Sequence, residues 1–381
     1  MMQSTETFLH KVQHFANSTV AQAAPGWSMS QAVHPDLFRE AAAIGLIGTR
    51  VCVKHGGQGF GFVTLVRACE ILAAVDFGFA MALVNTHNVA WRLSLSAPDR
   101  MRERYLPRLL CGDISACTAL TEPLAGSDFG AITTQASQVN EQWQLRGEKT
   151  WIVNARHAGI AMVFAKCYRA GAVNDIGGFL VDLSLPGVRR YCIDAAFSQT
   201  SIGTGGFVLD DVRLDDDCLL LAPGSAFKSI LCEINAARTY VAAMCNAMLA
   251  AALKEVQAYG ATRHTFGKPL NAHPSWQQLL DLACVDAGVA RALTDQAITL
   301  IESGGDARDA AARAKVHATQ TCQHHLPALL HAMGAEGLRP EHCFTRHLAA
   351  AQIAGLTDGA TNLLRNRLTR TALGRESKSE T

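Results

Sequence analysis

Residues 143–155 read WQLRGEKTWIVNA, and the fold turns on how they are read. The run is aromatic and β-branched and is interrupted by glycine and asparagine, which marks a strand rather than a helix. Three further stretches share its texture: AMVFAKC (161–167), GGFLVDL (177–183) and GGFVLDDVRL (205–214). Short strands separated by Gly, Asn and Asp predict an antiparallel sheet domain over residues 116–222. Before it, HPDLFREAAAIGLIG (34–48) and TLVRACEILAAVDFGFAMALV (64–84) space their apolar residues for helices, which predicts a helical domain over 1–115. Between those helices, KHGGQGFG (54–61) is a break and not a phosphate loop, because the Lys-Ser/Thr ending is missing.

After the sheet the helices return, long and rich in Ala and Leu: TYVAAMCNAMLAAALKEVQAYGATR (239–263), SWQQLLDLACVDAGVARALTDQAITLIES (275–303) and DARDAAARAKVHATQTCQHHLPALLHAMG (306–334). They are apolar on several faces, which predicts bundle helices over 223–381 or a helix–helix subunit interface. The expected fold is mostly α with a β middle domain.

Composition narrows the class. Of 381 residues, 49% are hydrophobic and 18% charged, as in a globular protein with a large core. A net charge of +1 gives no electrostatic case for nucleic acid or an anionic membrane. The 12 cysteines form no Cys-x-x-Cys pair, and residues such as Cys69 and Cys284 sit in apolar runs, so they read as small core residues in a reducing compartment. The 14 histidines lack metal-ligand spacing, so no metal site is expected. The opening MMQSTETFLHKVQHF lacks a signal-peptide core, and no apolar run reads as long enough to span a bilayer. The expectation is a soluble, cytoplasmic protein.

Four motifs in series point to a family. LTEPLAGSD (120–128) followed by LRGEKTWIVNA (145–155) resembles the middle domain of acyl-CoA dehydrogenases. RHTFGKPL (263–270) is similar to that family's Arg-x-x-Phe-Gly segment, and GAEGL (334–338) with TDGATNLL (357–364) to its Gly-rich turn and catalytic loop. The resemblance covers nearly the whole chain. It implies an N-terminal helical domain, a small antiparallel β-barrel domain and a C-terminal four-helix bundle, assembled as a homotetramer or homodimer with FAD between the β domain and the bundle. It also implies an acyl thioester substrate on CoA or a carrier protein, and an electron-transfer flavoprotein or oxygen as acceptor. The reaction would be α,β-dehydrogenation, a carboxylate taking the α-proton and flavin N5 the β-hydride.

Carried over residue by residue, the resemblance lines the flavin with Thr118, Leu120, Thr121, Ser127, Trp151 and Val153. Turn hydroxyls ordinarily just bond nearby backbone, and a strand Trp is ordinarily core. Val153 replaces the usual Thr or Ser and cannot donate a side-chain hydrogen bond to the flavin. Arg263 and Phe266 would meet the FAD pyrophosphate of a neighbouring subunit, Arg because its planar fork suits phosphate; an Arg at a helix end also simply offsets the dipole. Gln277, His331, Gly334 and Ala335 match positions along the cofactor, with Gly337 completing the turn; His331 and Ala335 depart from the usual Gln and Gly.

Asp358 stands where the family has a catalytic Glu, in Asp358-Gly359-Ala360. The other base position, just before Arg238, is Ala237. Arg238 aligns with an Arg held near the base, or is a helix-surface Arg. Asn235 replaces an acid that contacts CoA, which leaves the carrier open. Asp358 is also a good helix N-cap for the run that follows. Asp is one methylene shorter than Glu, and misplacement by about 1 Å costs about a hundredfold in rate. Three readings stand: dehydrogenation with a shifted loop or substrate; other flavin chemistry, such as a nitroalkane-oxidase-like oxidase, monooxygenase or enoyl reductase; or a degenerate subunit beside an intact paralogue.

Overall fold

A computed structural model describes residues 4–169, 172–194 and 200–374. It divides into two compact units, residues 1–68 with 78–232, and residues 69–77 with 233–381.

The first unit opens with helices α1 (Thr5–Phe15), α2 (Ala21–Ser28) and α3 (Asp36–Ala43), with α4 (Phe62–Ala73) beginning in it and α5 (Phe77–Ser96) and α6 (Asp99–Leu110) following. Ser4 caps α1 by accepting from the Thr7 amide at 3.1 Å. The helices hold together through buried aromatics: Phe15, Trp27 and Phe38 all pack on Phe79, with ring centroids 5.3–6.3 Å apart.

An eight-stranded sheet follows: β1 (Ser115–Ala119), β2 (Gln135–Val139), β3 (Gln142–Ile152), β4 (Ala158–Arg169), β5 (Ala172–Asp182), β6 (Val188–Cys192), β7 (Gly205–Asp215) and β8 (Leu219–Leu221). The spatial order is β6-β7-β3-β2-β4-β5-β8, with β1 also on β4. One strand face buries Trp143, Leu145, Val163, Phe179 and Phe207 in a common core. The sheet is mixed rather than wholly antiparallel, because β1 and β2 both run parallel to β4. Parallel pairing needs a long crossover, and the chain between β1 and β4 supplies it. No local turn signal announces such a pairing, which is why the strand texture alone suggested antiparallel neighbours.

The bundle helices are α7 (Ala226–Thr262), which begins in the first unit, and α8 (Pro274–Glu302), α9 (Arg308–Met333), α10 (Phe344–Leu356) and α11 (Thr361–Ala372) in the second. A two-stranded hairpin, β9 (His264–Thr265) with β10 (Lys268–Pro269), joins α7 to α8. Contrary to the sequence reading, α7 is long and apolar enough to cross a membrane, but 78% of its apolar window is buried within the protein, as in a core helix. Trp276 locks the start of α8: its indole N–H donates to Ala332 O at the end of α9 at 3.1 Å. The same ring lies so close to Gly260 of α7 that an added Cβ would stand 2.3 Å from it.

Candidate active site

In the first unit the Thr-Glu-Pro loop and the end of β3 are tied together. Lys149 is wholly buried and pairs with Glu122 at 2.8 Å, and its ammonium also donates to Leu120 O at 3.0 Å. Glu122 in turn accepts from the amides of Thr133 and Thr134 and from the Thr133 hydroxyl. Burial pushes the Glu122 carboxyl up, but Lys149 and these donors outweigh it and hold it at about 2. Thr150 N–H donates to Thr121 O at 3.1 Å, so Leu120 and Thr121 lie alongside β3, while Thr118, on β1, is paired with Met162 of β4. Ser127 is exposed in the loop that follows.

The β3–β7 ladder breaks its register between Lys149 and Ile152. Within that bulge Trp151 takes φ 57° and leaves 58% of its surface exposed. A left-handed backbone under a bulky aromatic is strained, and nothing apolar is gained by exposing an indole. The plain-core reading of Trp151 therefore fails. Val153 is half-buried beside it, and Asn154 fixes the turn with three hydrogen bonds, to Thr86 Oγ1, Ser115 Oγ and Ala116 O.

The second unit holds the remaining candidates in two groups. Arg263 and Phe266 follow the end of α7; Phe266 has φ 48° and is 97% exposed. Arg263 is exposed, and its carbonyl accepts from Leu270 N–H. Gln277 is exposed and donates to Asn271 O at 2.7 Å, a surface role. Through Trp276 the start of α8 meets the end of α9, where His331 and Ala335 are exposed and Gly334 turns with φ 62° and open space at its Cβ position.

The other group surrounds Asp358. After α10 the chain takes two left-handed residues in succession, Asp358 at φ 53° and Gly359 at φ 99°. The N-cap of α11 is Ala360, and no side chain caps that helix, so Asp358 is not its cap. Its residue surface is half-buried, yet Oδ2 is shut off from solvent with no hydrogen-bond partner. Burial pushes the carboxyl up to about 6, against the pull of Lys315 and Arg238. Arg238 is buried, not on a helix surface, and donates from Nε to Asp358 O at 3.0 Å and from Nη1 to Asn235 Oδ1 at 3.0 Å. Burial, with Arg367 adding to it, lowers its guanidinium to about 10 while Asp358 opposes; it stays charged at neutral pH.

Sequence reasoning did not single out Lys315, nor the Glu122–Lys149 pair or Asn154. The available signal for Lys315 was a lone cation inside an Ala-rich helix, and for the pair its presence inside two motifs already quoted. In the first unit the exposed Trp151 offers an aromatic face fit for a planar apolar ring; in the second, separately, the exposed Phe266, the unencumbered turn at Gly334 and the exposed guanidinium of Arg263 are fit for a group carrying phosphates.

Each unit thus carries features suited to a cofactor, and the second also holds a buried carboxylate oxygen without a partner. Domain models of acyl-CoA dehydrogenases match in order: the N-terminal domain over residues 2–113, the middle domain over 117–212 and the C-terminal domain over 225–373. The acyl-CoA dehydrogenase FadE12 of Mycobacterium tuberculosis is 27% identical over 343 residues, covering 89% of this chain and 88% of that one. Butyryl-CoA dehydrogenase from Megasphaera elsdenii superposes with a TM-score of 0.89 at 25% identity, covering 97% of this chain and 98% of the other. A glutaryl-CoA dehydrogenase from Mycobacterium smegmatis, solved with FADH2, superposes with a TM-score of 0.91 at 24% identity over 99% of this chain and 96% of that one. The chain belongs to the acyl-CoA dehydrogenase family, FAD-dependent oxidoreductases acting on CH–CH donors.

Proposed function

We propose that the chain dehydrogenates an acyl-CoA thioester between Cα and Cβ, with Asp358 as the base. The observation that carries this is the carboxylate itself: Oδ2 is buried, unpartnered and raised to about 6. A carboxylate kept for structure would be paired or capping, and this one is neither. At neutral pH it is ionised, and it is basic enough to accept a carbon-bound proton that the thioester carbonyl has acidified. The α C–H bond breaks with its proton passing to Asp358, the β-hydrogen departs with its electron pair, and the Cα=Cβ bond forms. Bound FAD supplies the acceptor for that hydride.

In the first unit Thr118, Leu120, Thr121, Ser127 and Trp151 would hold the flavin, and Val153 offers it only backbone. In the second, Arg263 and Phe266 would meet the pyrophosphate of a neighbouring subunit's FAD, and His331, Gly334 and Ala335 would lie along its adenosine half; Gln277, already bonded to Asn271 O, contributes least. Arg238 acts on the base through its backbone carbonyl, and Asn235 is engaged in orienting Arg238. The exposed side of α8 carries Leu282, Val285 and Val289 at helical spacing, which supports a self-associated assembly. Anaerobic addition of butyryl-CoA to the FAD-loaded protein tests the activity: the flavin should bleach. A protein that binds FAD but bleaches only with nitroalkanes would overturn the thioester reading.

A further inference from the structure

Lys315 lies in the second unit, in the Ala-rich middle of α9, and is fully buried, as are its helix neighbours Ala311, Ala312, Ala314 and Ala318. A buried ammonium loses hydration worth several kcal/mol and normally recovers it from a carboxylate. Lys315 does not. Its Nζ donates to Gly359 O at 2.5 Å and to Gly355 O at 3.4 Å. Those two carbonyls flank Asp358. Arg238, reaching from α7, takes the carbonyl of Asp358 itself. The Thr361 hydroxyl adds a second donor to Gly355 O at 3.0 Å. The turn from 355 to 361 is thus closed from three helices.

Such a clamp is needed here. Two successive positive-φ residues fall outside any helical hydrogen-bond ladder, so the backbone ladders of α10 and α11 do not by themselves fix where Asp358 points. The donors also go to backbone and not to the carboxylate, whose Oδ2 stays unpaired. A direct ion pair would hold the carboxylate's charge in place and blunt it as a base. A cation one step behind it assists ionisation and leaves the lone pairs free.

We propose that Lys315 is a positioning residue for Asp358: it fixes the 355–359 turn through two carbonyls and sets a positive charge behind the carboxylate without pairing to it. This rests on Asp358 being the base. The charged and titratable groups facing the pair are Arg238 and Cys245 on α7 and, beyond Arg238, Arg367 on α11; α10 contributes the Gly355 carbonyl. Burial lowers the Lys315 ammonium to about 8, with Asp358 and Cys245 opposing, so it is charged at neutral pH.

The test compares wild type, Lys315→Gln, which keeps a donor but no charge, and Lys315→Arg, which keeps the charge, each with and without Asp358→Asn. Two quantities are read across pH 4–9: anaerobic flavin reduction by butyryl-CoA, and the melting-temperature difference that Asp358→Asn makes in each background. The second reports ionisation of Asp358 without turnover. In wild type both should level off near pH 6. In Lys315→Gln both should move up by about one pH unit, with the rate plateau about tenfold lower, and Lys315→Arg should return the midpoint toward wild type. Should Lys315→Gln not fold, the Lys315→Arg profile and its own Asp358→Asn difference carry the comparison: a midpoint within a few tenths of a unit of wild type supports the charge role, and one displaced by a full unit overturns it. A midpoint that stays near pH 6 in folded Lys315→Gln overturns the proposal. Full turnover in Asp358→Asn defeats the base assignment instead, and the melting differences then still decide whether Lys315 governs that carboxylate.

Discussion

Replacing Asp358 by Asn should make the protein sturdier and idle at the same time. Burial lifts the carboxyl from its ordinary 3.8 to about 6. In the unfolded chain it keeps its ordinary value, so ionising it is harder in the fold. The sign follows from linkage: the folded state loses stability as pH rises from about 4 to about 6, and the loss is constant above that. Two pH units correspond to about 3 kcal/mol. The residue is only half-buried, however, so solvent screening brings this to about 1 kcal/mol. Asn keeps the volume and removes the ionisation. The variant should therefore be about 1 kcal/mol more stable than wild type at pH 7.5 and no more stable at pH 4, by thermal or urea denaturation. It should bind FAD as before while reduction by acyl-CoA falls at least about a hundredfold, the contribution of a positioned general base. In wild type, reduction should fall away below about pH 6. A stability difference that does not change with pH, together with near-normal reduction in the variant, would refute both the buried charge and the base.

Gly359→Ala should destabilise by about 1–3 kcal/mol and slow reduction, because φ 99° suits only glycine and the new Cβ would stand 3.3 Å from Arg238 Nη2; an unchanged melting temperature contradicts the clamp. Glu122→Ala leaves the buried Lys149 ammonium with the Leu120 carbonyl but no countercharge and should cost about 3–5 kcal/mol in urea denaturation. Trp151→Ala should change stability by no more than about 0.5 kcal/mol, since the ring is mostly exposed, but weaken FAD binding at least about tenfold in a fluorescence titration of apoprotein; equal FAD affinity removes Trp151 from the cofactor site. Val285→Glu on α8 should reduce the assembly size in light scattering while the chain stays folded.

How much of this could be read from the chain alone depended on the range of the interactions. Helical spacing in 239–263 and 306–334 reflects contacts within a few residues, and those segments fall largely in α7 and α9. The strand texture of 143–155 likewise falls largely in β3. The parallel partners of β4 were not legible, because pairings such as Ala119 with Val163 join residues far apart and leave no periodic trace. Lys315 was missed for a related reason. A Lys in an Ala-rich helix looks like a solubilising surface residue, and only packing from α7, α10 and α11 turns it inward. Trp151 shows the opposite case. Its motif suggested an aromatic on a strand, but the bulge that exposes it arises from a register shift against β7, which β3's own sequence does not record. The cap reading of Asp358 fails because Ala360 holds the cap position, after a left-handed turn that the sequence does not announce.

The same turn bears on why an aspartate stands there. Asp adopts positive φ more readily than longer side chains do, because its short polar group leaves the backbone uncrowded. With one torsion fewer than Glu, its carboxylate is placed chiefly by the backbone, and Lys315 and Arg238 hold that backbone from two helices. Reach is given up for order, provided the substrate comes close enough to a short arm. The charges fit this arrangement. At neutral pH Lys315 and Arg238 are both protonated and Asp358 is ionised, so the group is net positive. On the proposed reading, when Asp358 takes up the α-proton its own negative charge vanishes, and two buried cations remain while negative charge develops on the acyl group before the hydride leaves. That is the moment at which fixed positive charge stabilises a transition state, since the field is already in place and nothing has to reorganise. If Asp358 is the base, cations placed on the carbonyls with the carboxylate left free serve both halves of the event: the carboxylate can accept its proton, and the charge developing on the acyl group before hydride departure meets an uncancelled positive field.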